Sequence, residues 1–140
     1  MAMANEALVA EVKRIVTLRR EGKEQEAYDG YRALFAATAF GAYKPEEQRQ
    51  AIKLMIDRKV APHMPKPWVV ESHRAAIPPL TELVSAHNDP ADYELLGICH
   101  VVVGNEAAAA NIFRNALQIE RERDPQSTLC GSLMKWVSAV

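Results

Sequence analysis

The chain has 140 residues, of which 49% are hydrophobic and 25% charged, with a formal net charge of -1. A chain of this length can bury enough surface to form a core without disulfides or metals, and its near-neutral charge gives no general attraction to nucleic acid or anionic lipid. Its two cysteines, Cys99 and Cys130, are too few for a disulfide scaffold. We therefore expect a single domain over residues 1–140 in the cytoplasm, with no nucleic-acid or membrane partner.

Helix-favouring residues dominate the sequence, and no segment shows the sustained period-two alternation of a half-buried strand. The predicted fold class is therefore all-α, with about seven helices. The first two helices, at about 5–21 and 23–40, are separated by Gly22, which can adopt the left-handed conformation that ends a helix. Together they are expected to form a helical hairpin over about 5–41.

Prolines divide the middle of the chain, about 44–87, into an enlarged and irregular unit. Pro45, followed by two glutamates, predicts the start of a third helix that continues to about residue 59. Three further prolines exclude regular helix from about 60–68. Pro78-Pro79 interrupts the next helical stretch, 69–87, and marks either a boundary between two short helices or a kink.

The last third of the chain has the clearest helix boundaries. Asp89-Pro90 predicts the start of a helix, Gly104-Asn105 predicts a turn, and Asp124-Pro125 begins the final segment. These boundaries predict a helical hairpin over about 90–123, followed by a capping helix over about 126–139.

A specific pattern of small and aromatic residues lies within this second hairpin. Its members are Tyr93, Leu96, Gly97, Gly104, Asn105, Ala109, Phe113 and Ala116. The pattern resembles a tetratricopeptide repeat (TPR), although His100 replaces an aromatic residue and the closing proline is delayed to Pro125. The first hairpin is a weaker copy, since Gly22, Ala27 and Tyr31 have the same spacing as the corresponding matches here.

The resemblance implies antiparallel helical hairpins stacked as a short TPR-like right-handed superhelix, whose first helices line a concave groove. We therefore expect a non-catalytic scaffold that binds a peptide or amphipathic helix of another protein. A TPR-type chaperone of a secreted client is an alternative within the same class. The implied groove residues are Val9, Val12, Val16, Arg19 and Arg20 in the first hairpin, and Ala91, Glu94, Ile98, Val101 and Val102 in the best-matching repeat.

This implied groove is apolar in its middle, with Arg19 and Arg20 at one edge. Such a surface favours an amphipathic helix or apolar segment with an acidic flank. The predicted helix at 90–103, however, is apolar on nearly all sides, as is typical of a helix buried between neighbours. Ile98 and Val102 are therefore equally compatible with an open groove and with covered core.

A second class of function centres on the segment from His63 to Arg74. Trp68 lies in this basic segment and either fills the core or anchors a partner, so a small ligand- or metal-binding domain or an enzyme is the alternative. No histidine forms a helical ligand set, and no nucleophile–base pair or phosphate-binding loop occurs, so we expect no catalytic residue, metal site or cofactor. A homodimer is a third alternative, because apolar residues of the last helix need cover: Leu129, Leu133 and Trp136.

Overall fold

A computed structural model describes residues 5–56 and 64–140. Within these ranges the chain forms seven α-helices and no strand, which confirms the all-α prediction. The helices are α1 (Glu6–Arg20), α2 (Glu24–Ala36), α3 (Pro45–Met55), α4 (Pro67–His87), α5 (Pro90–Val102), α6 (Glu106–Arg123) and α7 (Thr128–Ala139), with a short 3-10 helix (Thr38–Ala42) between α2 and α3.

Local side-chain chemistry sets most of the helix ends. The side chains of Asn5, Asp89 and Ser127 accept hydrogen bonds from backbone amides in the first turns of α1, α5 and α7, at 2.9 to 3.1 Å. Gly22 and Gly104 have φ values of 79° and 88°, so both take the left-handed conformation predicted for the turns after α1 and α5.

Several predicted boundaries differ from the structure. The third helix ends at Met55 and not near residue 59, because Ile56 is extended. The second helix ends at Ala36 rather than Phe40, because Ala37 is extended and the 3-10 helix turns Phe40 back into the core, where its ring centroid lies 5.1 Å from that of Phe35. In α4 the helix continues through Pro78-Pro79, so the boundary considered there is absent. Because α4 already begins at Pro67, Trp68 lies in its first turn and not in a loop.

The helices pack closely in the order α1–α2, α2–α4, α4–α5, α5–α6 and α6–α7. A glycine allows the close approach in each of the two hairpins. A Cβ atom at Gly97 of α5 would lie 2.5 Å from Cε1 of Phe113 on α6, and one at Gly30 of α2 would lie 2.8 Å from Cγ1 of Ile15 on α1. The small residue is thus on opposite helices of the two hairpins, which explains why the TPR-type pattern is clear in the second hairpin and weak in the first.

The Gly97–Phe113 contact predicts the effect of adding a single methyl group. We expect Gly97→Ala to lower the free energy of unfolding by about 1–3 kcal/mol. The ring of Phe113 cannot move away easily, because it is stacked on Trp136 with 5.1 Å between centroids. Gly131→Ala is the matched control: Gly131 lies in α7, where an added Cβ would have no atom within 4 Å, so this change should raise stability by up to about 1 kcal/mol. Urea unfolding followed by circular dichroism measures both, and equal effects of the two changes would contradict the close contact.

Candidate functional site

An apolar groove of about 460 Å³ lies between α1 and α3. Its volume is within the range of about 300–1,000 Å³ that is typical of ligand-binding clefts. Its apolar lining comes from Leu8, Val9 and Val12 on α1 and from Ala51 and Leu54 on α3. Its polar lining consists of Lys13, Lys44, Glu46, Glu47 and Gln50.

Glu47 closes the end of the groove at which α1 and α3 begin. Its carboxylate accepts a hydrogen bond from the backbone N–H of Asn5, the residue that precedes α1. It also accepts one from the backbone N–H of Lys44, the residue that precedes α3, at 3.1 Å. A single carboxylate therefore joins the N-terminal ends of two helices, where negative charge is stabilised by the free backbone amides.

Arg19 closes the opposite end, near the C-termini of α1 and α3. Its guanidinium donates to the backbone carbonyl of Leu54 at 3.3 Å and to the Tyr28 hydroxyl at 3.1 Å, and it lies 5.3 Å from the centre of the Tyr28 ring. The carbonyl of Leu54 is one of those that find no partner within the last turn of a helix. Because the two helices are joined start to start and end to end, they run in the same direction on the two sides of the groove.

A buried ion pair attaches α3 to α5. Nε of Arg49 donates to both carboxylate oxygens of Asp92, at 2.8 and 2.9 Å, and the Asp92 side chain has no exposed surface. Burial raises the pKa of Asp92 above its ordinary value, although the adjacent Arg49 guanidinium acts in the opposite direction. Asp92 lies in the first turn of α5, and through Arg49 it also holds α3, one wall of the groove.

A further polar contact joins α5 to α7. The buried carboxylate of Glu94 on α5 accepts a hydrogen bond from the hydroxyl of Ser132 on α7. Polar side chains in the N-terminal halves of α3, α5 and α7 thus connect α1 to α3, α3 to α5 and α5 to α7 in chain order.

The structure separates the two sets of predicted groove residues. Val9 and Val12 line the groove, and the half-buried Val16 follows Val12 by one turn of α1. Arg19 and Arg20 are both exposed. Arg19 lies at the groove end and is bonded to Tyr28 and Leu54. The α1 half of the predicted groove is therefore adjacent to open space.

The α5 half is covered. Ile98 is 1% exposed and Val102 is 6% exposed, and Glu94 is fully buried; Ala91 and Val101 are only half-buried. The reason is that α5 packs between α4 and α6 and is also contacted by α7. Of the two interpretations of Ile98 and Val102, the structure supports covered core, and an open groove along this face of α5 is not present.

The α3 wall was not predicted from the sequence. Helix α3 carries Ile52 and Met55 toward the core, and Ala51 and Leu54 line the groove, with Leu54 43% exposed. The sequence did contain a signal for this wall, since α3 has apolar residues on two adjacent faces. A helix that is buried on one side needs only one apolar face, so the second face indicated a further apolar surface.

The alternative site between His63 and Arg74 is only partly within the described residues, since His63 lies outside them. Trp68 is half-buried and packs against the core. His73 is buried, and its Nδ1 is 2.7 Å from the backbone carbonyl of Val69, to which the Ser72 hydroxyl also donates at 2.8 Å. Ser72 and His73 therefore both use the α4 backbone as a hydrogen-bonding partner.

The predicted homodimer surface is also largely covered within the chain. Leu133 and Trp136 are buried, and Leu129 packs against the core. The large apolar side chain that α7 leaves exposed is Met134.

Residues 5–56 and 64–140 contain neither a cluster of metal ligands nor a membrane-spanning helix. In that part of the chain, no three His, Cys, Asp or Glu side chains converge in a way that could hold a metal ion. Among the same residues, no helix combines the length and the apolarity needed to cross a membrane. No protein-family model, curated protein or solved structure matches the chain.

The buried Arg49–Asp92 pair predicts that the free energy of unfolding depends strongly on the presence of both side chains. Asp92→Ala leaves the Arg49 guanidinium largely buried without its carboxylate and should lower the free energy of unfolding by about 3 kcal/mol. The double change Arg49→Met with Asp92→Leu should recover most of this loss, because no charge then remains buried. Urea unfolding of the three proteins measures the difference. A single variant as stable as wild type, or a double variant no better than the single one, would contradict this role.

His73 predicts a pH dependence. Burial, together with the nearby Arg19, lowers the pKa of His73 from its ordinary value of 6.5, so the unfolded chain binds a proton that the folded chain resists. The His73 contribution to stability is complete above about pH 6.5 and is lost as the pH falls, by up to about 1.4 kcal/mol per pH unit. The raised pKa of Asp92 has the opposite effect but is common to wild type and variant.

The measurement is therefore a comparison of wild type with His73→Gln by urea unfolding between pH 5 and pH 7. We expect the free energy of unfolding to fall more steeply with acidification in wild type. Parallel curves for the two proteins would show that His73 does not titrate with folding.

Proposed function

We propose that this protein is a non-catalytic interaction module that binds a segment of another protein in the groove between α1 and α3. The observation that carries the proposal is an apolar groove that is open to solvent, with Leu54 at 43% exposure on one wall and Val9 and Val12 on the other. A groove lined by apolar side chains and bordered by polar ones is typical of a surface that is covered in a complex.

We further propose that the fold is a short TPR-like superhelix. Three features support this: a Gly–Phe contact inside the best-matching hairpin, glycine turns in both hairpins, and polar contacts that connect α1, α3, α5 and α7 in order. In such a stack the odd-numbered helices line the inner surface, and the groove between α1 and α3 lies between two of them. The buried free cysteines Cys99 and Cys130 are in keeping with action in the reducing cytoplasm.

A non-catalytic role is supported by the chemistry of the groove lining. Glu47 is bonded to two backbone amides. Within residues 5–56 and 64–140, the groove lining also contains the charged residues Lys13, Lys44 and Glu46 but no histidine, cysteine or serine. A nucleophile with its general base is the usual minimum for covalent catalysis.

The test uses two exposed apolar residues of similar accessibility. Leu54 on α3 is 43% exposed and lines the groove, while Met134 on α7 is 48% exposed and does not. We expect Leu54→Glu to reduce the amount of partner that co-purifies from the source cells at least tenfold, because it places a charge in an apolar contact. Met134→Glu should leave the partner bound.

Both variants should keep the helical circular dichroism spectrum and melting temperature of wild type, since neither residue is core. Equal retention of a partner by both variants, or equal loss, would contradict the groove as the binding site.

A further inference from the structure

We propose that the occupant of the α1–α3 groove is an amphipathic helix of about three turns with acidic residues along one flank, and not an extended peptide. This inference rests on the proposed function and specifies the chemistry of the partner.

The apolar lining of the groove offers no free backbone groups to a bound peptide. Its apolar lining consists of side chains on α1 and α3, whose interior backbone amides and carbonyls are bonded within their own helices. An extended peptide laid on this lining would bury backbone N–H and C=O groups without partners, at a cost of about 1–3 kcal/mol for each group. A helix satisfies its own backbone and presents only apolar side chains to the lining.

The length of the groove suits a short helix. The lining runs from Lys44 to Leu54 beside α1, a stretch of about 15 Å at the helical rise per residue, and Glu47 and Arg19 lie at its two ends. This is the length of about three helical turns. Helices α1 and α3 are not among the closely packed pairs, so an added helix can contact both walls.

The two rims of the groove differ in charge. Lys13 lies on the α1 rim, and Arg20 follows it by two helical turns on the same side of α1. Both are exposed, and neither forms an ion pair with any residue in 5–56 or 64–140. The opposite rim carries Lys44 just before α3, then Glu46 and Gln50 on the helix. The α1 side therefore has two positive charges, whereas on the α3 side the positive charge of Lys44 is balanced by the negative charge of Glu46.

A bound helix complements this asymmetry when it has Glu or Asp at positions i and i+7 on the flank that faces α1. Charged residues that flank an apolar seam in this way set partner choice and orientation in helical assemblies. Arg19 does not contribute to this recognition, since its guanidinium is already bonded to Leu54 and Tyr28.

The test measures the binding of three fluorescently labelled synthetic peptides of about 18 residues to the full chain by fluorescence anisotropy. The first has leucines at helical spacing with glutamates on one flank. The second has lysines in place of those glutamates. The third has the composition of the first with leucines at every second position, the pattern of an extended strand. We expect the first peptide to bind at least tenfold more tightly than either of the others.

Charge reversal on the protein provides the matched control. Lys13→Glu with Arg20→Glu should reverse the preference, so that the lysine peptide binds more tightly than the glutamate peptide. Arg114→Glu with Arg121→Glu makes the same change in net charge at the same spacing on α6, outside the groove, and should leave the preference unaltered.

Three results would overturn the inference: tightest binding of the alternating peptide, equal binding of the glutamate and lysine peptides, or no binding of the glutamate peptide at its solubility limit. The failure of the proposed function is distinguishable. If a co-purified partner depends on Leu54 but its contact segment, mapped by cross-linking, is extended or basic, the inference is wrong while the groove remains the binding site. If no partner depends on Leu54, both are wrong.

Discussion

The placement of α3 is the constraint on which the candidate site depends. Ile52 and Met55 pack this helix into the core. Polar contacts add to that packing: Glu47 joins α3 to the start of α1, Arg19 joins it to the end of α1, and Arg49, in the middle of the helix, joins it to Asp92. The other helices meet along closely packed faces. Among residues 5–56 and 64–140, the hydrogen bonds that connect α3 to α1 lie at the ends of the helices. The apolar surfaces between these bonds are not closely packed, and that separation is the groove.

Polar attachment also explains how an apolar groove persists in a folded chain. Two apolar helix faces that can move freely would close on each other, since each Å² removed from water is worth about 25 cal/mol. Hydrogen bonds at both ends and the buried Arg49–Asp92 pair fix the separation, and leaving any of these groups unpaired would be costly. The side chains that hold α3 therefore contribute to specificity of structure more than to net stability.

The sequence predicted what depends on neighbours along the chain and missed what depends on distant residues. Gly22, Asp89 and Gly104 act within one helical turn, so their effects on helix ends follow from residue type. Val9 and Val12 were assigned to a groove through the TPR resemblance, and they do line one. Its other wall was missed because Glu47, Asp92 and Arg19 find partners on other helices. Ile98 and Val102 are covered because α5 has neighbours on several sides. An apolar pattern on all sides of a helix indicates that it has such neighbours, but it does not show which helices they are.

The structure predicts that the space between α1 and α3 is open in solution and that the corresponding face of α5 is covered. The most direct measurement is methyl NMR of valine, leucine and isoleucine groups in the presence of a soluble gadolinium chelate, which broadens signals that approach solvent. The account predicts strong broadening for Val9, Val12 and Leu54 and little for Ile98 and Val102. Equal protection of Val9, Val12 and Ile98 would mean that the groove is closed in solution and would contradict the account.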